Sequence, residues 1–133
     1  MHIRNGVDIV DVGRIEHSLT SNSNFAAKVY TENEVSYCES KKAGRYSSYA
    51  ARFAAKEAFM KAIGAGMFNG AQFIEIEVIN DRATGEPHLQ LHGGAAGIYR
   101  QLKGTSIAVS LSHTIDTAIA TVVLLCEGDD AQN

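Results

Sequence analysis

Arg52-Phe53-Ala54-Ala55-Lys56-Glu57-Ala58-Phe59-Met60-Lys61-Ala62-Ile63-Gly64 is the most informative segment of this 133-residue chain. Alanines favour a helix and let neighbours pack close to it. Tyr49, Phe53, Met60 and Ile63 recur at helical spacing, which marks a core-facing stripe. Together these predict a long helix from Arg45 to Ile63, with Gly64 as its C-cap. Glu57 falls on the same side as Phe53 and Met60, on or beside the buried stripe, where an acid is rarely placed without a partner. Lys61 follows one turn later. The two can form a helix ion pair worth about 0.3–0.5 kcal/mol. Alternatively both face one cleft, the acid toward a metal or nucleophile and the ammonium toward a phosphate. Gly64 is explained by capping alone, while backbone N–H groups of the Gly64-Ala65-Gly66 loop could also cradle a phosphate.

Working outward, Ile3 to Val12 reads as a strand that carries Asp8, and Asp11 can cap a turn of helix through Leu19. Phe25 to Tyr30 is a short helical piece, and Thr31-Glu32-Asn33-Glu34 is a capping box opening a helix to about Ser40. Beyond the long helix, Phe73 to Ile79 alternates cleanly, predicting a half-buried strand with Glu75 and Glu77 outward. Turn chemistry from Asn80 to Pro87 leads to a hairpin partner at His88–Leu91. A short amphipathic helix from Gly93 to Lys103 precedes two apolar strands, Ser106–Ser112 and Thr117–Leu125, joined by the compact turn His113-Thr114-Ile115-Asp116. The expected fold class is α+β, one long helix packed on a mainly antiparallel sheet. The domain is expected to span residues 1–126, with 127–133 a disordered acidic tail.

Composition bounds the function. Hydrophobic residues make up 45% and charged residues 20%, ordinary for a soluble globular domain. No apolar run approaches the roughly 20 residues that span a bilayer, and the N-terminus lacks a signal-peptide pattern. Cys38 and Cys126 match no metal-ligand spacing and read as reduced thiols of a cytoplasmic protein. The net charge of −3 hides a basic run from Lys41 to Lys61 (Lys41, Lys42, Arg45, Arg52, Lys56, Lys61) broken only by Glu57. That run is either a solvated helix face or a field attracting an anionic ligand or acidic protein partner. The acidic overall balance and the lack of aromatic-basic interleaving argue against nucleic acid.

Asp8 and Glu57 are the candidate metal ligands. Mg²⁺ takes one or two protein carboxylates and completes its shell with water and substrate phosphate oxygens. The alternative for Asp8 is a strand-end residue bonding nearby backbone N–H groups. Ser110-Leu111-Ser112-His113 ends a strand, but without a Gly-x-Ser-x-Gly elbow a nucleophilic serine is disfavoured. His113 is either a polar strand-end residue or a phosphate ligand. His2, His17, His88 and His92 show no zinc spacing.

These pieces, in this order and spacing, resemble the holo-acyl-carrier-protein synthases, the small single-domain 4'-phosphopantetheinyl transferases. The resemblance runs from Gly6 to about Leu125. It rests on Gly6-Val7-Asp8-Ile9-Val10 with Arg14-Ile15-Glu16, on the Arg52–Gly64 stretch, on Gly85-Glu86-Pro87, and on Ser110-Leu111-Ser112-His113. Arg4 departs from it, standing where the family often has a second glycine. The resemblance implies Mg²⁺-dependent transfer of 4'-phosphopantetheine from coenzyme A to a serine of an acidic apo-acyl carrier protein, releasing adenosine 3',5'-bisphosphate. It implies Asp8 and Glu57 as metal ligands and Asp8, Glu57 and Lys61 as catalytic. Arg52, Lys56, Lys61, Gly64, Gly66, Ser110 and His113 are expected to line the coenzyme A site, and Arg14, Lys28 and Arg45 to meet the carrier. A homotrimer with active sites between subunits is implied as well, with no membrane or nucleic-acid partner. The broader-specificity transferases of secondary metabolism resemble two such domains fused, for which 133 residues are too few. A non-catalytic coenzyme A or nucleotide-binding module is the other alternative, but binding alone would not require Asp8, Glu57 and Lys61 together.

Overall fold

The long helix organises everything else. In the computed structural model, which describes residues 1–64 and 70–128, it spans Arg45–Ile63 and ends on Gly64 in the left-handed region (φ 73°, ψ 48°). Only a residue without a Cβ adopts that conformation freely, and the Gly64 N–H closes the helix on the Lys61 and Met60 carbonyls. In chain order the elements are β1 (His2–Asp11), α1 (Val12–Ser21), α2 (Phe25–Val29), α3 (Glu32–Ser40), α4 (Arg45–Ile63), β2 (Ile76–Asn80), β3 (Pro87–Leu91), α5 (Gly93–Gln101), β4 (Gly104–His113) and β5 (Thr117–Cys126). The expected α+β architecture is what the chain forms. Gly66 and residues 129–133, most of the expected tail, lie outside the described residues.

β1, β5 and β4 form an antiparallel sheet in that order, and β2 with β3 forms a separate hairpin. α4 lies across the three-stranded sheet. It can do so closely because the facing residues are small: Ala58 and Ala62 on the helix, Ala118 and Ala120 on the central strand, and Gly6 on β1, all buried. A Cβ on Gly6 would overlap the Ala58 carbonyl oxygen, so the helix rests directly on the strand backbone there. Phe53, Phe59 and Ile63 complete the core with Val122 and Leu124 of β5.

Two local expectations change. Asp11 occupies the N-cap of α1 but makes no side-chain cap bond; the Val12 N–H goes instead to the Asp116 carbonyl of the β4–β5 turn (2.9 Å). The Phe73–Ile79 segment is not one alternating strand. Phe73–Glu75 is a 3₁₀ turn, and both acids point inward to donors. Glu75 accepts from the Gly94 and Ala95 N–H groups that open α5. Glu77 is buried, holding Thr31 (2.7 Å) and His92 (3.0 Å). The start of α3 covers the face that alternation would have left in water.

Candidate active site

The carboxylate pair is built by β1 and α4. Alternation along β1 turns Gly6, Asp8 and Val10 toward the helix and Val7 and Ile9 away from it. The close approach at Gly6 then sets Asp8 beside the last two turns of α4. Lys61 does not turn back one helical turn to Glu57. Its Nζ reaches across to the strand, donating to the Val7 carbonyl (2.9 Å) and to Asp8 Oδ1 (3.2 Å). Glu57 is half-buried next to them. Burial, and then the negative charge of Asp8, push its carboxyl above the ordinary carboxylate range, while Lys61 and Arg14 pull it back. Arg14 of α1, expected to meet a carrier protein, thus also faces this cluster, its guanidinium 6.0 Å above the Phe53 ring.

A second polar region lies on the other flank of α4. Arg52 and His113 line an open cleft of about 490 Å³ with Tyr37, Lys41, Gly85 and Pro87. Arg52 is buried, stacked on Tyr37 (4.0 Å) and tied to Asn80 Oδ1, yet its Nε has no hydrogen-bond partner among the described residues. A buried cationic donor left unpaired is costly and is suited to an anionic oxygen entering the cleft. Lys41, also over Tyr37 (4.7 Å), adds positive charge. Tyr37 and Asn80 were not singled out in the sequence, since neither stands out from its neighbours. Lys41 belonged to the basic run, and Gly85 and Pro87 to the family motif.

The two regions are separated. Arg52 and Glu57 are five residues apart, about 140° around the helix at 100° per residue. Asp8 and His113 belong to β1 and β4, the opposite edges of the sheet. Within one chain the acids and the Arg52–His113 cleft therefore do not form a single pocket.

The remaining candidates are scattered. Lys56, expected at the coenzyme A site, is instead a core residue. It is fully buried, with its three N–H groups given to Glu34 (2.8 Å), Phe73 O (3.1 Å) and Ile76 O (2.7 Å). The helical register turns it toward α3 and β2, which leaves no proton for a ligand. Ser110 is exposed on the sheet face away from α4, beside Thr121. Lys28 lies in the last turn of α2. Arg45 begins α4, bonded to the Lys42 carbonyl and stacked on Tyr46.

For a metal, the donor set is two hard oxygens. Among the described residues no group of three or more His, Cys, Asp or Glu could hold an ion. Two carboxylates that repel one another and border an open surface fit Mg²⁺, which takes the rest of its shell from water and phosphate.

Comparison with known proteins bears on the chemistry. Residues 4–120 match the family described as the 4'-phosphopantetheinyl transferase superfamily. The chain is 46% identical over 129 residues to the holo-[acyl-carrier-protein] synthase of Ruminiclostridium cellulolyticum, covering 96% of this chain and 95% of that protein. It is 44% identical to that of Solibacter usitatus, covering 93% and 98%. Among solved structures, the ACPS–CoA complex of Chronobacterium ammoniagenes superposes with a TM-score of 0.83 at 29% identity, covering 96% of this chain and 100% of that one. The Bacillus anthracis holo-(acyl-carrier-protein) synthase in complex with CoA (3',5'-ADP) gives 0.75 at 34% identity, covering 93% and 96%.

Proposed function

We infer the working of this site from one premise: the chain belongs to the 4'-phosphopantetheinyl transferase superfamily. It is an enzyme of the holo-acyl-carrier-protein synthase type, transferring 4'-phosphopantetheine from coenzyme A to a serine of an apo-acyl carrier protein. The observation that carries the mechanism is Lys61 bonded to Asp8 where β1 crosses the end of α4, with Glu57 near enough to feel both charges.

Asp8 and Glu57 would hold Mg²⁺ against the coenzyme A pyrophosphate; when bound, the ion neutralises charge on the transferring and leaving phosphates. The serine hydroxyl attacks the phosphorus that bears the pantetheine arm. A new oxygen–phosphorus bond forms, the bond to the adenosine-side phosphate breaks, and the serine proton must go to a positioned acceptor. Glu57 takes that proton, directly or through an ordered water. Lys61 has two N–H groups on β1 and a third for the leaving phosphate, which departs as adenosine 3',5'-bisphosphate. Gly64 caps α4 three residues beyond Lys61.

Arg52, Lys41 and His113 supply the anion-binding cleft for the donor's nucleotide end. That cleft lies on the far flank of α4 from Glu57, so one coenzyme A would lie between two copies, the acids from one and Arg52 with His113 from its neighbour. The sheet face away from α4 provides a surface for such an assembly. It exposes Ile3 (66%), Val7 (50%), Ile9 (67%), Ile119 and Val123 in one apolar field, with Ser110 and Ser112 along its β4 side. A homotrimer closed through these faces satisfies both observations. The acidic carrier would approach along Arg14, with Lys28 and Arg45 on neighbouring elements.

Incubation with coenzyme A, Mg²⁺ and an apo-carrier protein, with the carrier weighed by mass spectrometry, tests the reading. The expected result is a gain of one phosphopantetheine on the carrier serine, with none when Mg²⁺ is removed by a chelator. An unmodified carrier would leave only coenzyme A binding.

A further inference from the structure

Arg4 stands two residues before Gly6 on β1, and the structure gives it a definite partner. Its Nε donates to the Ala62 carbonyl at 2.8 Å, between β1 and the last turn of α4. Ala62 is one of the last four helical residues, whose carbonyls have no intrahelical donor, and a guanidinium there also meets the negative end of the helix dipole. Ala62 directly follows Lys61, whose ammonium crosses in the opposite sense, from α4 to the Val7 carbonyl and Asp8 of β1. Between these crossings Gly6 lies against the backbone of Ala58 and Ala62. The helix end is thus fastened to the strand by two reciprocal side chains, one from each element, on either side of a backbone contact. Arg4 is four residues from Asp8, about 13 Å along the strand, and its guanidinium goes to the helix end, not to Asp8.

We propose that Arg4 is a positioning residue for Lys61: it holds the final turn of α4 in register on β1, so that the ammonium stays aligned with Asp8 and the leaving phosphate. The proposal rests on the reading of Lys61 given above. Arg4 touches no substrate and acts only through the helix end. Coenzyme A binding draws on the Arg52 cleft, so loss of Arg4 acts on turnover more than on affinity.

The test compares Arg4→Met, which keeps the apolar stem without the donor, with Arg4→Lys, which keeps a donor. Kinetics are read at a temperature where circular dichroism finds wild type and both variants folded. Arg4→Met is expected to lower kcat about five- to tenfold while changing the KM for coenzyme A by less than about twofold. Arg4→Lys recovers most of the lost turnover. In a Lys61→Ala background, Arg4→Met adds almost nothing, because the residue it positions is gone. Hydrogen exchange of the Ile63 and Gly64 amides is faster in Arg4→Met, with or without substrate. Wild-type kcat in Arg4→Met, no recovery by Arg4→Lys, or losses that multiply in the double variant would each overturn the proposal. A wild-type protein that leaves the carrier unmodified would defeat the functional reading instead; unchanged exchange at Ile63 and Gly64 would then still count against Arg4.

Discussion

Lys56 and Lys61 are five residues apart on α4, about 140° around the helix, and meet opposite surroundings. Lys56 is surrounded by protein, and burial lowers its proton affinity while Glu34 raises it. Glu34 spends its other oxygen on the Val78 N–H, so the pair joins α3, α4 and β2. Replacing Lys56 by Met leaves Glu34 charged and unpaired in the core. The expected cost is about 3–5 kcal/mol, read by urea denaturation. A loss below about 1 kcal/mol would mean that water reaches the pair. Lys61, more than half exposed, stands at the surface with Asp8. Glu57 is the residue on which turnover should depend most. Glu57→Gln keeps the shape and removes both the proton acceptor and a carboxylate ligand, and carrier modification should fall at least about a hundredfold. Normal turnover with Mg²⁺ would remove Glu57 from the chemistry. Sequence spacing located Glu57 and Lys61 but could not separate Lys56 from them. All three lie in one basic run, and only the packing of α3 and β2 against one flank of α4 distinguishes a core lysine from a site lysine.

At the scale of elements, two contacts hold the site in place. The first is β1 on α4 at Gly6. An alanine there would drive a Cβ into the Ala58 carbonyl, so Gly6→Ala should cost about 3 kcal/mol, the upper end for overpacking. It should also lower turnover, since Asp8 moves with the strand. Calorimetry and the carrier assay read the two effects separately, and a fully stable, fully active variant would mean the strand shifts freely. The second contact is Glu77, which ties β2 to α3 through Thr31 and Asn33 and to α5 through His92. Burial alone would raise its proton affinity, but these hydrogen bonds outweigh it and hold the carboxyl below its ordinary value of 4.5. The folded state therefore binds fewer protons than the unfolded chain near that value. The associated stability is present above pH 4.5 and fades as pH falls below it. Glu77→Gln should melt at a lower temperature than wild type at neutral pH, with the gap closing in acid; a gap constant down to pH 3 would rule out the carboxylate as its source. Alternation in Phe73–Ile79 predicted Glu77 in water because a strand pattern records two faces and not what later covers each. The capping box at Thr31–Glu34 was legible, because both of its bonds lie within four residues.

For the whole molecule, the separation of Glu57 from the Arg52–His113 cleft makes a prediction that no single-chain site would share. Glu57→Gln and Arg52→Ala copies, each nearly inactive alone, should complement when mixed and reassembled, with about a quarter of wild-type activity for random mixing in a closed ring. Activity no greater than that of the separate variants would place the whole site within one copy. A charge on the apolar face, such as Val7→Asp, offers a matching control by size-exclusion chromatography. The α+β class, the extent and C-cap of the long helix, the hairpin and the two late strands were all legible along the chain. Each of these is written in local periodicity, in capping chemistry or in motif spacing, which act over a few residues. Packing between distant segments set the rest: Lys61 pairs with the strand and not with its own helix, Lys56 and Glu77 are interior, and the two polar regions lie on opposite flanks of α4. Those outcomes depend on which distant surfaces come to cover each face, and on a backbone contact at Gly6 close enough to set the helix in register.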